Sequence, residues 1–488
     1  MHPAMSTQIN GTSSGGDYTV PFFIDGEKVI PEKIFDVVSP ATGKAVHKCG
    51  SATEKDALAA VDSAARAFRS WKKTTLIQRR DIFLKAAAIM ESRKEELARI
   101  MSEETGAAAG WSEFILGLGI GCIKDVGGRL VTVEGSVPAT NDPNLSAIVL
   151  KEPYGVVLAI APWNAPFILG ARSIAFPIAA GNTAILKASE FSPRTLVEMV
   201  SCFHEAGLPK GVLNVIVHEP ANAATITTSL IAHPEIKKIN FTGSTVVGRI
   251  IAKQAGEHLK PVLLELGGKA PAIVWEDANL DLAADQCAVG SFLHGGQICM
   301  STERIIVHKK VSEQFQAKLS ASIEKIFPTK SDAPVLINAV AVEKNKKLIK
   351  DAVGKGAAVV AGNVDAEETS KTRLRPIVIK NVSTDMDIYK TESFGPSVSL
   401  FEVETEEEAL KIANDTEYGL TSAVFTEDLR TGLRFAKEIE SGAVHINNMT
   451  VHDESGLPHG GVKSSGFGRF NSTGLEEWVR TKTITYRN

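Results

Sequence analysis

Cysteine is scarce in this sequence, with five residues in a chain of 488, at positions 49, 122, 202, 287 and 299. The number is odd, and no pair has the Cys-x-x-Cys spacing typical of structural zinc sites or redox motifs. We therefore expect neither a disulfide framework nor a bound metal, and a reducing compartment such as the cytoplasm fits the composition best.

Long apolar runs and blocks of basic charge are also missing. No apolar run reaches the roughly 20 residues that cross a bilayer, and the net charge is a mild −4. We therefore expect neither a membrane nor a nucleic acid as a partner. Residues 1–17 are rich in Gly, Ser and Thr without an apolar core, which predicts a disordered tail rather than a secretory signal.

Two glycine-flanked motifs carry the side chains best suited to chemistry. Cys299 follows Gly295-Gly296-Gln297-Ile298, where the glycines should leave backbone uncovered for a carbonyl to approach a thiolate. Glu265 ends an apolar run, and because that run holds no charged neighbour, burial should raise the pKa of Glu265 as a general base requires. A buried structural thiol and a satisfied structural carboxylate are the alternatives that these residues leave open.

From residue 155 onwards, short apolar strands alternate with helical runs. Strands that are apolar throughout are typical of a parallel sheet with helices on both faces, so the sequence predicts an α/β fold. In such sheets a ligand binds beyond the carboxyl ends of the strands. Three polar segments lie at predicted strand ends: Ala161-Pro162-Trp163-Asn164, Lys187-Ala188-Ser189-Glu190 and Thr242-Gly243-Ser244.

Other elements are predicted outside this alternation. Residues 78–101 have apolar side chains at helical spacing. Residues 131–137 and 146–151 alternate apolar and polar side chains, which predicts a hairpin that packs on a partner subunit. The alternating stretch 479–486 predicts a final strand that could pair with this hairpin.

The turn that contains Gly243 and Ser244 has the features of a phosphate-binding site. A strand, a glycine and a helix start together supply free N–H groups and a positive helix end for a pyrophosphate, although a plain turn fits as well. Lys187 and Glu190 could reach ribose hydroxyls, and a carboxylate there would repel a 2′-phosphate. NAD is therefore expected rather than NADP, unless Glu190 only stabilises the start of a helix.

These motifs, in this order, resemble those of the NAD(P)-dependent aldehyde dehydrogenases over nearly the whole chain. The resemblance implies a Rossmann-type NAD domain, an α/β catalytic domain and a small β oligomerisation arm. It assigns residues 1–130 and 152–263 to cofactor binding, 264–459 to catalysis, and 131–151 with 460–488 to oligomerisation. A homodimer or homotetramer is implied.

Site residues follow from the resemblance by position. It implies that Cys299 is the nucleophile, that Glu265 is the general base, and that Asn164 stabilises an oxyanion together with the backbone N–H of Cys299. The implied cofactor-binding residues are Ala161, Pro162, Trp163, Lys187, Ser189, Glu190, Gly243, Ser244, Leu266, Glu392 and Phe394.

Residues 161–172 and 297–304 resemble the salicylaldehyde dehydrogenase branch of the family. This implies NAD-dependent oxidation of an aromatic aldehyde, of the salicylaldehyde, benzaldehyde or vanillin type, through a cysteine thiohemiacetal and thioester. The candidate substrate-pocket residues are Trp111, Phe167, Arg172, Ile298, Met300 and His459. An aliphatic aldehyde dehydrogenase, a CoA-acylating enzyme and a non-catalytic member of the fold are the alternatives.

Two positions depart from the family pattern. Many relatives have Phe where this chain has His459, which is expected near the mouth of the substrate tunnel. Many also have Glu after the Gly-x-Gly-Arg run, where Phe470 stands here. If that Glu relays protons in relatives, water must do so in this chain.

Overall fold

The computed structural model describes residues 18–487, so the predicted disordered tail at residues 1–17 lies outside the described residues. Within this range the strands are β1 (Thr19–Val20), β2 (Phe22–Ile24), β3 (Glu27–Val29), β4 (Ile34–Val38), β5 (Ala45–Gly50), β6 (Leu145–Pro153), β7 (Val156–Ile160), β8 (Thr183–Lys187), β9 (Leu213–Ile216), β10 (Ile236–Thr242), β11 (Val262–Glu265), β12 (Ala270–Val274), β13 (Thr302–His308), β14 (Ala358–Ala361), β15 (Ile377–Lys380), β16 (Ser397–Val403), β17 (Ser422–Phe425), β18 (Val444–Ile446), β19 (Gly466–Phe467) and β20 (Val479–Arg487).

The same residues form the α-helices α1 (Glu54–Trp71), α2 (Leu76–Ser92), α3 (Lys94–Thr105), α4 (Ala109–Gly128), α5 (Pro166–Ala179), α6 (Pro193–Glu205), α7 (Ala223–Ala232), α8 (Thr245–Glu257), α9 (Leu280–Phe292), α10 (Lys309–Ile326), α11 (Ala339–Gly354), α12 (Asp387–Lys390), α13 (Glu406–Asn414) and α14 (Leu429–Glu438). The helix predicted over residues 78–101 is in fact two helices that meet at Arg93, whose guanidinium is anchored by Glu198 at 2.7 Å. Among the described helices, none has the length and apolar character that crossing a membrane requires.

The first large sheet has eight strands in the order β19-β11-β10-β7-β8-β9-β2-β3. Its centre, from β11 to β9, is parallel, as the strand–helix alternation predicts. Every residue of β7 and of the following helix α5 is buried, which explains why both read as apolar throughout.

The second large sheet has seven strands in the order β14-β15-β16-β13-β12-β17-β18, parallel except for β14. Along β13, Ile305 and Val307 lie in one apolar cluster and Ile306 lies in another. Since alternate side chains of a strand point to opposite faces, both faces of this sheet are covered. The predicted α/β architecture is therefore confirmed in both halves of the chain.

A two-stranded ribbon is formed by β6 and β20, which pair antiparallel from Leu145↔Arg487 to Pro153↔Val479. The predicted pairing of the final strand is confirmed, but the predicted hairpin is wrong. Residues 131–137 form no strand, and only an isolated bridge joins Ser136 to Val149. Pro138 follows directly and has no N–H to continue a ladder, so the last strand of the chain takes the neighbouring place instead.

Candidate active site

Cys299 lies in the loop between α9 and β13. The loop begins with His294, Gly295 and Gly296 in the left-handed region, at φ values of 50°, 64° and 73°. A Cβ added at Gly296 would lie 2.2 Å from the carbonyl oxygen of Gly395. The prediction that these glycines leave the backbone uncovered is therefore wrong, because they permit a left-handed turn and close packing. This left-handed turn orients Cys299, which is half-buried.

Glu265 is the last residue of β11 and is 2% exposed. Its Oε1 accepts a hydrogen bond from the Cys299 thiol at 3.7 Å and another from His459 Nε2 at 2.9 Å. Its Oε2 is buried without a hydrogen-bond partner in residues 18–487. One carboxylate oxygen is therefore engaged, and the other is available to a further donor.

The pKa of Glu265 differs from the value expected from the sequence, and the pKa of its neighbour Cys299 is also shifted. Burial raises the pKa of Glu265, but the His459 imidazole and the Arg172 guanidinium outweigh it, so the pKa lies below its ordinary value. The prediction of a raised pKa is wrong, because the charges that decide it come from distant parts of the chain. The pKa of the Cys299 thiol is raised, first by burial and then by Glu265 and Glu392. Cys299 therefore rests as a thiol, with a carboxylate in place to take its proton.

Asn164 follows β7, and its amide is held next to the Cys299 loop. Its Nδ2 donates to the carbonyl oxygen of Gln297 at 3.0 Å. The backbone carbonyl oxygen of Asn164 accepts a hydrogen bond from Trp111 Nε1 at 3.2 Å. Because a primary amide has two N–H donors, this bond leaves one N–H for a further acceptor.

A first cavity of about 270 Å³ opens on one side of Cys299, Glu265 and Asn164. Of the predicted cofactor-binding residues, the ones that line it are Pro162, Trp163, Gly243, Ser244, Leu266, Glu392 and Phe394. The cavity also includes Lys344 from α11, which no motif in the sequence had marked. Nothing in the sequence singles out Lys344, because a lysine on an amphipathic helix is usually a solvent-exposed residue without a specific role.

Four predicted cofactor-binding residues do not line this cavity: Ala161, Lys187, Ser189 and Glu190. Ala161 and Ser189 are buried. Lys187 ends β8, in register with Ile160 at the end of β7, and its Nζ lies 3.5 Å from Glu190 Oε2. These two charges therefore lie at the same edge of the sheet as the cavity, further along that edge.

The residues of the first cavity fit the ribose and pyrophosphate parts of a nicotinamide cofactor. Glu392 Oε1 accepts from the backbone N–H of Gly268 at 2.8 Å. An added Cβ at Gly267 would lie 2.7 Å from Glu392 Oε2, so only glycine lets the carboxylate lie this close to the backbone. Burial, followed by Glu303, raises the Glu392 pKa to about 7. Ser244 caps the N-terminus of α8, where N–H groups and the helix dipole favour a phosphate.

A second cavity opens on the other side of Cys299, Glu265 and Asn164, between α4 and α5. It includes four predicted substrate-pocket residues: Trp111, Arg172, Ile298 and Met300. Further apolar lining residues that the sequence had not marked are Phe114, Ile115, Leu118, Ala165, Ile168, Leu169 and Val451. Arg172 is 2% exposed and forms an ion pair with Asp453 at 2.5 Å. Its partner is thus a buried carboxylate of the same cavity and not a surface acid.

Two predicted pocket residues lie elsewhere. Phe167 is fully buried, and its backbone packs against Gly119 of α4, so helix packing removes it from the cavity. His459 does not lie at a tunnel mouth: it is 8% exposed and lines a third cavity of about 40 Å³. A backbone bridge between His459 and Phe470 holds the imidazole inside the protein, where it contacts Glu265.

Between residues 18 and 487, no group of three or more His, Cys, Asp or Glu side chains could hold a metal ion.

Comparison with known proteins gives consistent results. A sequence model described as the aldehyde dehydrogenase family matches residues 23–484. A vanillin dehydrogenase of Pseudomonas fluorescens is 42% identical over 96% of this chain and 98% of its own. A salicylaldehyde dehydrogenase of Pseudomonas sp. (strain C18) is 39% identical over 93% of this chain and 95% of its own. A crystal structure of a salicylaldehyde dehydrogenase from Pseudomonas putida G7, complexed with salicylaldehyde, is 37% identical with a TM-score of 0.93, and covers 96% of this chain and 98% of that one.

Proposed function

The chain belongs to the aldehyde dehydrogenase family, and on that premise we propose that it oxidises an aromatic aldehyde to the carboxylic acid with NAD, through a thioester on Cys299. Family membership and fold were predicted from the sequence, and the matched residues and the TM-score of 0.93 confirm both. The family consists of oxidoreductases that use NAD or NADP. One observation carries the proposal: Cys299, Glu265 and Asn164 line both the first and the second cavity.

The first step is the attack of sulfur on the aldehyde carbon. Glu265 takes the thiol proton, since its Oε1 lies 3.7 Å from Sγ. The sulfur then forms a bond to the carbon, and the carbonyl oxygen becomes an oxyanion. The N–H of Asn164 that is not bonded to Gln297 stabilises this charge, as a donor fixed in advance by its neighbours. The product is a thiohemiacetal on Cys299.

A nicotinamide cofactor, when bound, supplies the acceptor for the hydride that leaves the substrate carbon, and a thioester remains on Cys299. Glu265 releases the thiol proton to solvent and then takes a proton from water through Oε2, which has no hydrogen-bond partner among the described residues. This second proton passes to the sulfur when the C–S bond breaks. The hydroxide oxygen adds to the thioester carbon, the C–S bond breaks, and the acid leaves while the thiol is restored. Because Glu265 lines both cavities, water can reach it from the side that the acyl group does not fill.

NAD is proposed over NADP because of the charges at the end of β8. Glu190 would accept from the ribose 2′-hydroxyl and repel a 2′-phosphate. Lys187, which would attract that phosphate, is already paired with Glu190 at 3.5 Å. We expect a higher kcat/KM with NAD, and we expect Glu190→Gln to narrow the difference. An equal or higher kcat/KM with NADP in the unmodified enzyme would reject this assignment.

The aromatic substrate class is supported by the second cavity. Apart from Cys299, Glu265 and Asn164, its lining is apolar except for Arg172 and Asp453. The indole of Trp111 is fixed by its hydrogen bond to the backbone carbonyl oxygen of Asn164. An aryl ring would stack on the indole, while a ring hydroxyl would donate to Asp453 or accept from Arg172. Relatives at 39% and 42% identity act on salicylaldehyde and vanillin, both of which carry a ring hydroxyl.

An aldehyde panel tests the proposal. We would measure kcat/KM with NAD for benzaldehyde, salicylaldehyde, 4-hydroxybenzaldehyde, vanillin and hexanal. The aryl aldehydes should give the higher values, and a preference for hexanal would reject the aromatic assignment. Cys299→Ala should abolish NADH formation, whereas the matched variant Cys287→Ala, at a buried thiol of α9 that touches neither cavity, should retain it.

The ribbon of β6 and β20 is proposed as the oligomerisation element. It exposes Leu150, Ile484 and Tyr486, at 38%, 40% and 47%. The same proposal assigns residues 1–130 and 152–263 to cofactor binding and 264–459 to catalysis. Ile484→Glu should shift the mass measured by light scattering towards the monomer, and an unchanged mass would argue against this interface.

A further inference from the structure

His459 makes a direct contact with the carboxylate that the proposed chemistry uses twice. Its Nε2 lies 2.9 Å from Glu265 Oε1, and both side chains are buried. An ionised carboxylate only accepts hydrogen bonds, so Nε2 carries the proton and donates it. Neither motif predicts this contact, since the sequence leaves water as the only expected proton relay in this chain.

The backbone fixes the position of the imidazole. His459 and Phe470 exchange two backbone hydrogen bonds, at 3.3 and 2.8 Å. The Phe470 ring in turn lies under the Arg172 guanidinium, at 5.7 Å from its centroid. The two positions where this chain departs from the family pattern are therefore neighbours, and together they place an imidazole against Glu265 and an aromatic ring under Arg172.

The bond makes the two carboxylate oxygens of Glu265 unequal. Oε1 already accepts from His459 and from the Cys299 thiol, whereas Oε2 is buried and unpartnered within the described part of the chain. A buried carboxylate oxygen without a donor is costly, so Oε2 is the oxygen with most to gain from a water molecule. Without His459 the carboxylate could rotate and lose this distinction.

We propose that His459 is a positioning residue for Glu265, which holds Oε1 by a hydrogen bond and thereby makes Oε2 the oxygen that takes the proton of the hydrolytic water. This inference rests on the proposed function, because it takes Glu265 as the base. His459 itself touches neither of the cavities that would hold the substrate and the cofactor. Its effect is exerted entirely through Glu265.

The bond has a consequence for the pH dependence. The charged and titratable groups that surround the imidazole are Glu265 from β11, His445 from β18, Arg172 from α5, and His452, Asp453 and Glu454 from the loop after β18. His459 Nδ1 lies 3.8 Å from Asp453 Oδ1, so the imidazole is flanked by the two carboxylates of Glu265 and Asp453. A donor at Oε1 favours the ionised form of Glu265, and the base then stays active to lower pH.

The test is the acidic limb of the kcat–pH profile in wild type, His459→Phe and His459→Gln. Without the donor, only Arg172 still opposes the effect of burial on the pKa of Glu265. The limb should therefore move to higher pH by about one to two units, the worth of a hydrogen bond to a charged group. The glutamine amide can donate to Oε1, so His459→Gln should restore most of the shift. The NADH burst, which reports acylation, should persist in all three enzymes, and KM for the aldehyde should change little.

Controls separate this effect from a structural one. His452→Gln alters the same third cavity without touching Glu265 and should leave the limb in place. If His459→Phe fails to fold, His459→Met removes the donor with a more flexible side chain. The inference would be overturned if the acidic limbs of all the His459 variants coincided with that of the wild type. It would also be overturned if His459→Gln shifted the limb as far as His459→Phe does. Normal turnover by Glu265→Gln would instead overturn the proposed base itself, so the two failures are distinguishable.

Discussion

Replacing Glu265 by glutamine should make the Cys299 thiol more reactive towards an alkylating reagent, although the same change slows turnover. The reason is that Glu265 is, after burial, the largest cause of the raised pKa of Cys299. Removing its negative charge lowers that pKa, and a larger fraction of the sulfur is then thiolate at any pH below it.

The magnitude follows from the 3.7 Å between Cys299 Sγ and Glu265 Oε1. Two charges about 4 Å apart interact by about 4 kcal/mol at an effective dielectric constant of about 20. This corresponds to an upper bound of about three pKa units, since one unit is about 1.4 kcal/mol. The Arg172 guanidinium and the hydrogen bond from His459 offset part of the carboxylate charge. We therefore expect a shift of about one unit or more and an alkylation rate at least roughly tenfold higher at neutral pH.

The assay is timed alkylation by iodoacetamide between pH 6 and pH 10 without cofactor, followed by mass analysis of the peptide that contains Cys299. Because the pKa of the wild-type thiol is raised, its rate should climb about tenfold per pH unit up to that pKa. The Glu265→Gln curve should be displaced to lower pH, while kcat for an aldehyde falls by about 10²–10⁴-fold, as for loss of a general base.

Glu392→Gln is the matched control, because Glu392 raises the same pKa less than Glu265 does and lies on the cofactor side. It should displace the alkylation curve in the same direction by a smaller amount. If the Glu265→Gln thiol reacted as slowly as the wild type at every pH, or more slowly, the electrostatic explanation would be refuted. In that case Glu265 would act on Cys299 only as the acceptor of its proton, and its charge would not be what raises the pKa of the thiol.

Two further substitutions and one pH series test the packing around the site. Gly296→Ala should abolish activity and lower Tm, since a left-handed alanine costs about 1–2 kcal/mol and its Cβ would lie 2.2 Å from a carbonyl oxygen. Asp453→Asn should lower the free energy of unfolding in urea by about 3–5 kcal/mol, because it leaves the Arg172 charge buried without its partner. Arg172 and His459 hold the pKa of Asp453 below its usual range despite burial, so its stabilisation is present above the ordinary Asp pKa of about 4 and is lost as the pH falls through the lowered value. The stability difference between wild type and Asp453→Asn should therefore shrink on acidification.

Each of these has a control in the chain. Gly121→Ala, on α4 with open space around it, should be neutral or slightly stabilising. Glu404→Gln breaks an ion pair with Lys309 in which both side chains are more than 60% exposed, and should leave unfolding unchanged. Equal effects for the two glycine substitutions, or a wild-type urea midpoint for Asp453→Asn, would contradict the packing described above.

Much of the fold could be predicted because its cause is local. Helix α5 begins at Pro166 and ends at Ala179, because proline suits the first helical turn and a left-handed glycine, Gly181, follows the end. The hairpin was wrongly predicted because alternation alone does not say which strand is the partner. The ladder of β6 joins segments more than three hundred residues apart, and only the folded chain selects it.

The same division holds for the site. Cys299 and Asn164 stand in motifs that mark them locally, and the structure brings them together with Glu265. The charges that set the pKa of Glu265 are His459 and Arg172, which lie 194 and 93 positions away along the chain and reach it only through tertiary packing. The apolar run around Glu265 holds no charged neighbour, so the local sequence could not predict that the pKa of this carboxylate is lowered.

Acylation of Cys299 is best tested by acid quench during turnover of benzaldehyde with NAD, followed by mass analysis of the digested protein. An aroyl group should be found on the peptide that contains Cys299, should accumulate further in Glu265→Gln, and should be missing in Cys299→Ala. Sustained NADH formation by Cys299→Ala, or an aroyl group carried by a different residue, would contradict the role given to this sulfur.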